Sequence, residues 1–293
     1  MNTPTSFSWE LNAIDLQLID LAFVEDLNFP YCDQTTELLV PSAKKNTRAM
    51  IISKQSHPLM LCGLPVINAI LKKLGHGTLH SDYCDGQIIQ PGATLLTLIG
   101  SARTILMAER IMLNFLQRLC GIATLTAKYV EKIKHTSAQI LDTRKTAPGF
   151  RHLEKYAVSC GGGLNHRMGL YDAIMIKDTH IDTLGGMEKA LAKLPENVLQ
   201  KCPVIIEVRT LDELNTVLVN GMKKVTRVLL DNMSPALMKE CVQLCQKKMP
   251  TEASGNMDLD TITIVAECGV DFISVGKLTH SAGCVDLSMQ CEL

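Results

Sequence analysis

The sequence has almost no net charge, because 29 lysine and arginine residues nearly balance 30 aspartate and glutamate residues. A balanced chain exerts no general attraction on nucleic acid or on an acidic membrane surface. Any anion that binds must therefore be held by a local cluster of cations. We expect small-molecule partners, and neither nucleic acid nor a membrane.

Long apolar runs are also missing, since no window approaches the roughly 18 consecutive apolar residues of a membrane span. Glu109 and Arg110, for example, interrupt the longest apolar helix pattern. The N-terminal segment lacks the apolar core of a secretory signal, because Glu10, Asp15 and Asp20 fall where that core would lie. These absences predict a soluble protein that is not exported.

The 11 cysteines include no Cys-x-x-Cys pair, and an odd number does not suit a closed disulfide framework. Cys241 and Cys245 would share a helix face, but no second close pair accompanies them, and a buried free cysteine acts as a small hydrophobic residue. Free thiols are typical of a reducing compartment. We therefore expect a cytoplasmic protein.

The N-terminal part of the chain shows mixed helix and strand patterns. An amphipathic helix is predicted within the first 25 residues from the spacing of Leu11, Ile14, Leu18, Leu21 and Ala22. Strand-like segments are predicted at about 36–54, 78–83 and 94–102, and helices at 64–75, from about Thr104, and at 124–133. Gly121 is predicted to break the last two helices apart.

From Gln139 onward, short apolar strands alternate with helical patterns. The strands read QILDTR, AIMIK, PVIIEV, RVLLD, TEAS and DFISVG. Such alternation predicts parallel strands joined by crossover helices. The repeat of about 22–35 residues is the length of one strand–helix unit. We expect an α/β fold with an incomplete (β/α) barrel, since six strands are visible rather than the usual eight.

Each of these strands ends in residues that can bind or react. They are Asp142, Arg144 and Lys145, then Lys177, Glu207, Asp231, Ser254 and Gly276. The carboxyl ends of barrel strands share one rim, where active sites form. The sequence therefore predicts one polar cavity at that rim.

Cationic side chains are predicted to line one side of the cavity: Arg144, Lys145, His166, Arg167, Lys177 and, from the long helix, Arg110. Such groups repel one another unless an anion neutralises them, and guanidinium groups bind carboxylate or phosphate through two bonds. Scattered surface charges are the alternative, which the shared strand-end placement disfavours.

Glu207 and Asp231 end two successive strands, and their hard oxygen atoms suit Mg²⁺ carrying a diphosphate. Pairing of each carboxylate with a nearby lysine or arginine is an equal alternative. Small residues in ASGN (253–256) and VGK (275–277) would let backbone N–H groups approach a phosphate, although ordinary tight turns carry the same residues. The Gly-rich run at 160–163 lacks the spacing of a nucleotide fingerprint and is predicted as a flexible turn.

Several long segments, in this order, resemble quinolinate phosphoribosyltransferases: AERIMLNFLQRLCGIAT, DTRKTAPGFRHLEKYAVSCGGGLNHRMGLYDAIMIKD, VLLDN, EASGN and ISVGKLTHS. The resemblance covers nearly the whole chain and is densest from Leu106 to His180. It implies conversion of quinolinate and phosphoribosyl pyrophosphate into nicotinate mononucleotide, CO₂ and pyrophosphate, with Mg²⁺, in NAD synthesis.

The resemblance also implies a role for each site residue. The quinolinate-binding and catalytic set is Arg110, Arg144, Lys145, His166, Arg167 and Lys177. Glu207 and Asp231 match contacts to ribose and to the magnesium diphosphate, directly or through water. The phosphate-holding loops match Ser254, Gly255, Asn256 and Gly276. Among these, Lys145, Lys177, Glu207 and Asp231 are the predicted catalytic residues, and His166 or Lys177 would return a proton to the decarboxylated ring.

The fold implied by the resemblance has an N-terminal α/β sandwich over residues 1–115, completed by about 277–293, and an incomplete barrel over residues 116–276. Members of the family form dimers in which a residue matching Arg110 reaches the partner's site. A homodimer with shared active sites is therefore implied, and further assembly is left open.

Four positions depart from the commonest family pattern: Thr179, Arg209, Asn256 and Lys277. None of them removes a predicted catalytic group. Lys277 replaces a small residue, and we expect it to add a cation near the phosphate pocket and to tighten binding of phosphoribosyl pyrophosphate.

Two alternative functions remain at this point. One is a phosphoribosyltransferase for another anionic base, such as nicotinate without decarboxylation. The other is a non-catalytic sensor of phosphorylated sugars, whose mark would be the loss of Glu207, Asp231 or Lys145, all of which are present.

Overall fold

The computed structural model describes residues 9–40, 46–75 and 77–292. They form two compact units, and neither is a continuous stretch of chain. The first unit comprises Met1–Ala127, Thr146–Gly162 and Ser281–Leu293, and the second comprises Lys128–Lys145 and Gly163–His280. These units differ from the predicted division at residue 115, because the segment 146–162 joins the first unit.

The first unit is built on a four-stranded antiparallel sheet. The strands of this unit are β1 (Asn46–Ser53), β2 (Leu59–Met60), β3 (Thr78–His80), β4 (Ile88–Ile89), β5 (Thr94–Ser101) and β12 (Leu287–Glu292). The sheet order is β12-β1-β5-β3, and β2 pairs separately with β4. The helices are α1 (Ala13–Leu27), α2 (Gln34–Leu39), α3 (Leu64–Lys73), α5 (Arg151–Cys160) and α4 (Ala102–Ile133), which continues into the second unit. The predicted strand at 36–54 is therefore a helix in its first part and a strand from Asn46, while residues 41–45 lie outside the described residues.

Helix α1 buries a different face from the predicted one. Its buried residues are Asp15, Ile19, Phe23 and Leu27, whereas Ile14 and Leu21 of the predicted stripe are 53% and 61% exposed. The buried face of the helix includes Asp15 because its carboxylate accepts hydrogen bonds inside the protein, from the backbone N–H of Asn12 at 2.9 Å and from the His152 ring at 2.5 Å. Residues 1–8 of the predicted helix lie outside the described residues.

Helix α4 runs without interruption through Gly121, so the predicted break is wrong. A Cβ at Gly121 would lie 2.0 Å from the carbonyl oxygen of Gly283. Glycine is required here because two backbone segments meet, and its helix-weakening effect is overridden by that contact. The glycine run at 160–163 has a similar role in part, because a Cβ at Gly161 would lie 2.4 Å from the carbonyl oxygen of Ala123.

The second unit is an open parallel sheet, and all six predicted strands form. They are β6 (Gln139–Leu141), β7 (Ile174–Ile176), β8 (Val204–Val208), β9 (Arg227–Asp231), β10 (Thr251–Ser254) and β11 (Phe272–Ser274). The sheet order is β6-β11-β10-β9-β8-β7, so β6 and β7 are the edge strands within the described chain. The predicted α/β fold with an incomplete barrel is confirmed.

Helices follow most of these strands. They are α6 (Asp178–Leu184), α7 (Met187–Lys193), α8 (Leu211–Asn220), α9 (Pro235–Cys245), α10 (Ile262–Ala266) and α11 (Lys277–His280), with a 3-10 turn at Val198–Gln200. Because helices cover the sheet, strands such as β8 and β9 are apolar along nearly their whole length. Polar groups are therefore confined mostly to the strand ends. None of the helices in the described residues is long and apolar enough to cross a membrane.

We expect Gly121→Ala to lower the free energy of unfolding by about 1–3 kcal/mol, because relieving the clash with Gly283 must shift backbone. Alanine would otherwise favour the helix by about 1 kcal/mol. Chemical denaturation measures the difference. Gly283→Ala is the matched control, because a Cβ there meets nothing within 4 Å. A Gly121→Ala protein as stable as the wild type would contradict the proposed contact.

Candidate active site

A cleft of about 320 Å³ opens at the carboxyl ends of the second unit's parallel strands. The predicted site residues that line it are Arg144, Lys145, His166, Arg167, Lys177, Glu207, Asp231 and Ser254. The topology brings them together because β6 to β11 all point the same way. A larger concavity of about 550 Å³ lies on the first unit, but its lining includes only Arg48, His80 and Asp82 as charged or titratable side chains. The convergence of charges therefore favours the smaller cleft as the site.

Two guanidinium groups stand in this cleft, those of Arg144 and Arg167. Burial lowers the pKa of Arg167, the charge of Arg144 lowers it further, and Asp172 and Glu207 act in the opposite direction. The Arg167 guanidinium is held by a 2.9 Å hydrogen bond to the carbonyl oxygen of Ala173. An anion bound between the two arginines would relieve their repulsion.

His166 is fixed by three contacts. Its backbone N–H donates to Asp142 at 2.8 Å, and its ring Nδ1 accepts the backbone N–H of Arg167 at 2.7 Å. Ring Nε2 lies 3.4 Å from a carboxylate oxygen of Glu252. Because Nδ1 accepts, we assign the ring proton to Nε2, directed at Glu252. Nδ1 is thus occupied by the protein backbone, and Nε2 faces Glu252.

Glu252 is a site residue that the sequence prediction missed. It lines the cleft yet is 0% exposed, accepts a hydrogen bond from Ser274, and lies 3.0 Å from the Arg227 guanidinium. Arg227 in turn lies over the Phe272 ring at 4.6 Å. Burial alone would raise the pKa of Glu252, but hydrogen bonding and electrostatic attraction to His166, together with the charge of Arg227, outweigh burial and lower it. A carboxylate inside an apolar strand was the signal that could have identified it.

Glu207 and Asp231 form the acidic side of the cleft together with Asp178, which the prediction also missed. Glu207 accepts the backbone N–H of Asp178 at 3.2 Å. Burial raises the pKa of Glu207, the Asp178 N–H and the charge of Lys177 lower it, and the negative charge of Asp231 adds to the rise. The like charges here favour a bound cation or a developing positive charge.

The lysines are positioned by hydrogen bonds of their own backbone. The Lys145 carbonyl accepts the Thr279 hydroxyl at 2.7 Å, and the Lys145 N–H donates to the Thr143 hydroxyl at 3.0 Å. The Lys177 N–H donates to ring Nδ1 of His180 at 2.9 Å, which gives His180 a capping role at the start of α6. Both ammonium groups therefore extend from fixed backbone.

The predicted phosphate loops lie in the same unit: Ser254 lines the cleft, whereas Gly255, Asn256 and Gly276 are not among its lining residues. Gly255 has φ +102°, and a Cβ there would lie 2.0 Å from the side-chain oxygen of Asn232. Asn256 also has a left-handed backbone, with φ 47°. A Cβ at Gly276 would lie 3.2 Å from the Lys145 side chain. Lys277 begins α11, and its Nζ lies 3.8 Å from Asp258.

Arg110 belongs to the first unit. It is exposed on α4 and lines a concavity of about 350 Å³ with Asp26, Asp33 and Glu109. Its role in a shared site stays a prediction.

Comparison with known proteins identifies relatives of both parts of the chain. Residues 33–120 match the family model "Quinolinate phosphoribosyl transferase, N-terminal domain", and residues 122–290 match that of the C-terminal domain. A probable nicotinate-nucleotide pyrophosphorylase [carboxylating] of Bacillus subtilis is 34% identical over 97% of this chain and 96% of its own length. The chloroplastic enzyme of that name from Arabidopsis thaliana is 42% identical, over 71% of this chain and 64% of its own length.

Solved structures are similar over the whole chain. The nicotinate-nucleotide pyrophosphorylase of Francisella tularensis superposes with a TM-score of 0.89 at 38% sequence identity. The match covers 99% of this chain and 100% of that one.

We expect Glu252→Gln to destabilise the protein by about 3 kcal/mol at neutral pH, because the largely enclosed guanidinium of Arg227, 16% exposed, loses its ion pair. The pKa of Glu252 is lowered below its ordinary value of 4.5. Its contribution is thus fully present above pH 4.5 and is lost as the pH falls through the lower folded-state pKa.

Urea denaturation at a series of pH values measures this difference. The difference in the free energy of unfolding between wild type and Glu252→Gln should become smaller below about pH 4.5. Glu267→Gln, which removes an exposed partner of His135, should change stability by less than about 1 kcal/mol. If the loss of stability in Glu252→Gln did not depend on pH, the assignment of a buried, charged Glu252 would be refuted.

Proposed function

Because this chain belongs to the quinolinate phosphoribosyltransferase family, we propose that it transfers phosphoribose from phosphoribosyl pyrophosphate to quinolinate with loss of CO₂. The products are nicotinate mononucleotide, CO₂ and pyrophosphate, in NAD synthesis. The observation that carries the proposal is the cleft that gathers four cations and several carboxylates at one strand rim. An anionic base and an anionic sugar donor together match that charge pattern.

Arg144 and Arg167 bind quinolinate in this proposal. Each guanidinium can hold a carboxylate through two bonds, and quinolinate carries two carboxylates. The charge of Arg144 lowers the pKa of Arg167, after the effect of burial, and this supports a dicarboxylate, since one anionic group on each arginine would offset their repulsion. The clamp fixes the ring so that its nitrogen faces the sugar, which removes entropy before the reaction.

The pyridine nitrogen attacks C1 of the ribose as pyrophosphate leaves, and no strong base is needed. Lys145 and Lys177 neutralise the leaving group, and such preorganised donors contribute about 3 kcal/mol each. Positive charge develops on the sugar, and the Glu207 and Asp231 carboxylates, which line the same cleft, stabilise it.

Mg²⁺ is the proposed cofactor, and the residues present fit it. Glu207, Asp231 and Asp178 offer hard oxygen donors, which this ion prefers. Their proximity already raises the pKa of Glu207, after the effect of burial, so a cation there would relieve repulsion. When bound, Mg²⁺ neutralises diphosphate charge.

Decarboxylation then needs one proton at the ring carbon that loses CO₂. The bond to CO₂ breaks, its electron pair stays on the carbon, and a general acid supplies the proton. His166 suits this role poorly, since its ring nitrogens face Arg167 and Glu252. Of the two predicted candidates, Lys177 is therefore favoured, and its exposed ammonium regains a proton from solvent.

A homodimer in which Arg110 serves the partner's site, and a cytoplasmic location, complete the proposal. Free thiols at all 11 cysteines support a reducing compartment.

Incubation with quinolinate, phosphoribosyl pyrophosphate and Mg²⁺ tests the function, with product followed by absorbance and CO₂ by trapping. We expect one CO₂ for each nicotinate mononucleotide formed and no reaction when nicotinate replaces quinolinate. Turnover of nicotinate without release of CO₂ would instead indicate a phosphoribosyltransferase for another anionic base. Binding of phosphoribosyl pyrophosphate with no product from either base would indicate a non-catalytic sensor of phosphorylated sugars.

Arg144→Ala should raise KM for quinolinate and lower kcat together, with kcat/KM falling about 10- to 100-fold, because a charge-assisted clamp is lost. Steady-state kinetics at fixed phosphoribosyl pyrophosphate measures the change. Arg209→Ala is the control, since Arg209 follows a neighbouring strand but pairs with Asp182 and Glu213. Wild-type kinetics in Arg144→Ala would remove Arg144 from the site.

Lys277→Ala should raise KM for phosphoribosyl pyrophosphate about 2- to 5-fold without changing KM for quinolinate, as expected for a partly exposed cation. The Lys277 side chain is 45% exposed and reaches Asp258 only at 3.8 Å, so it is free to contact a phosphate. Lys239→Ala, an exposed lysine on α9, serves as the control. An unchanged KM for phosphoribosyl pyrophosphate would argue against a phosphate role for Lys277.

A further inference from the structure

Two thiols and a carboxylate converge in the first unit at residues that the proposed reaction does not use. The ligand atoms of Cys62, Asp85 and Cys160 all lie within 4.8 Å of one another. Cys62 and Cys160 are buried, and Asp85 is half-buried. In the described part of the chain, this is the only group of three or more such side chains.

We propose that Cys62, Asp85 and Cys160 form a binding site for a thiophilic divalent cation of the Zn²⁺ type. The two sulfur atoms and one carboxylate oxygen would supply three tetrahedral positions, and a water molecule would complete the fourth. The site goes beyond the proposed activity and does not depend on it.

The donor set matches the preferences of Zn²⁺. Thiolate sulfur binds at about 2.3 Å and carboxylate oxygen at about 2.0–2.2 Å, so ligand atoms of a tetrahedral site lie roughly 3.5–3.8 Å apart. The ligand atoms here lie at most 4.8 Å apart, and small side-chain rotations would bring them to the tetrahedral separation. Mg²⁺ and Ca²⁺ are disfavoured because they take oxygen ligands.

Hydrogen bonds orient Asp85 as a ligand. One carboxylate oxygen accepts the backbone N–H of Gly63 at 2.9 Å and the hydroxyl of the buried Tyr156. The backbone N–H of Leu64 donates to the carboxylate at 3.2 Å. Supporting bonds of this kind hold metal-binding carboxylates in place, and here they also cap the start of α3.

Cys62 is held from the other side by Cys120. The Cys120 sulfur accepts the backbone N–H of Cys62 and donates to its carbonyl oxygen, both at 3.3 Å. This pair of contacts fixes the backbone that carries the Cys62 thiol.

The charge of the cluster also suits a cation. Burial raises the pKa of Cys62, and hydrogen bonding to Cys160 and the charge of Asp85 add to the effect. Burial raises the pKa of Asp85 as well, although its hydrogen bonds oppose the rise. A divalent cation converts the thiols to thiolates, forming two metal–sulfur bonds as two S–H bonds break and the protons pass to solvent. Affinity should therefore rise with pH.

A role as apolar filler is the simplest alternative for buried cysteines. Cys241 and Cys245 on α9 fit that description, because both are buried but form no such group with a carboxylate. They provide a matched control within the same chain.

Co²⁺ titration of the full-length, reduced protein tests the site, because thiolate bound to Co²⁺ gives an intense near-ultraviolet charge-transfer band. We expect one equivalent of Co²⁺ per chain, displacement by Zn²⁺, weaker binding at lower pH, and a rise in melting temperature with Zn²⁺ that a chelator reverses. Cys160→Ala and Cys62→Ala should lose the band and the shift in melting temperature. Cys245→Ala should keep both.

Circular dichroism of each variant verifies that it is folded, and Cys160→Ser provides a second replacement if Cys160→Ala is not. Absence of the band in wild-type protein, or its persistence in the Cys160 and Cys62 variants, overturns the proposal. Binding lost equally in Cys245→Ala also overturns it. A mass lower by two hydrogen atoms in protein purified without reductant, restored by reduction, would instead assign a disulfide between Cys62 and Cys160 and would overturn the proposal.

Discussion

Like charges held together at one edge of a parallel sheet are the constraint on which the site depends. Arg144, Arg167 and two lysines converge there because neighbouring strands share a direction, although the guanidinium groups repel each other. The strands can hold them because their own residues are apolar and covered by helices. Carboxylates in the same cleft supply part of the missing negative charge, and an anionic substrate would supply the rest.

The environment divides the acidic side chains of the cleft into two kinds. Glu252 is fully enclosed and meets His166, Arg227 and Ser274, so its charge is satisfied by the protein. Glu207 lies near other carboxylates, and its pKa is raised by burial and by Asp231. Glu252 therefore stabilises the positions of the residues around it, whereas Glu207 is available to a ligand.

The strand ends could be predicted from sequence because they depend on local pattern and on one general rule about barrels. An apolar run followed by a charged residue identifies the end of a strand, and six such runs identify the rim. Asp15, Gly121 and Glu252 could not be interpreted in the same way. Each is explained by a contact distant in sequence: with His152, with Gly283 and with Arg227, respectively. Periodicity carries no information about which backbone a glycine will touch, or which cation a buried carboxylate will meet.

The chain passes between its two units at residues 127–128, 145–146, 162–163 and 280–281. Helix α5, which comes between β6 and β7 in sequence, belongs to the first unit. Cutting the chain at any single position therefore cannot release either unit whole. A truncated chain would contain incomplete parts of one or both units. Modules joined by one linker can be exchanged between proteins by recombination, but these two units must be inherited, expressed and folded as one.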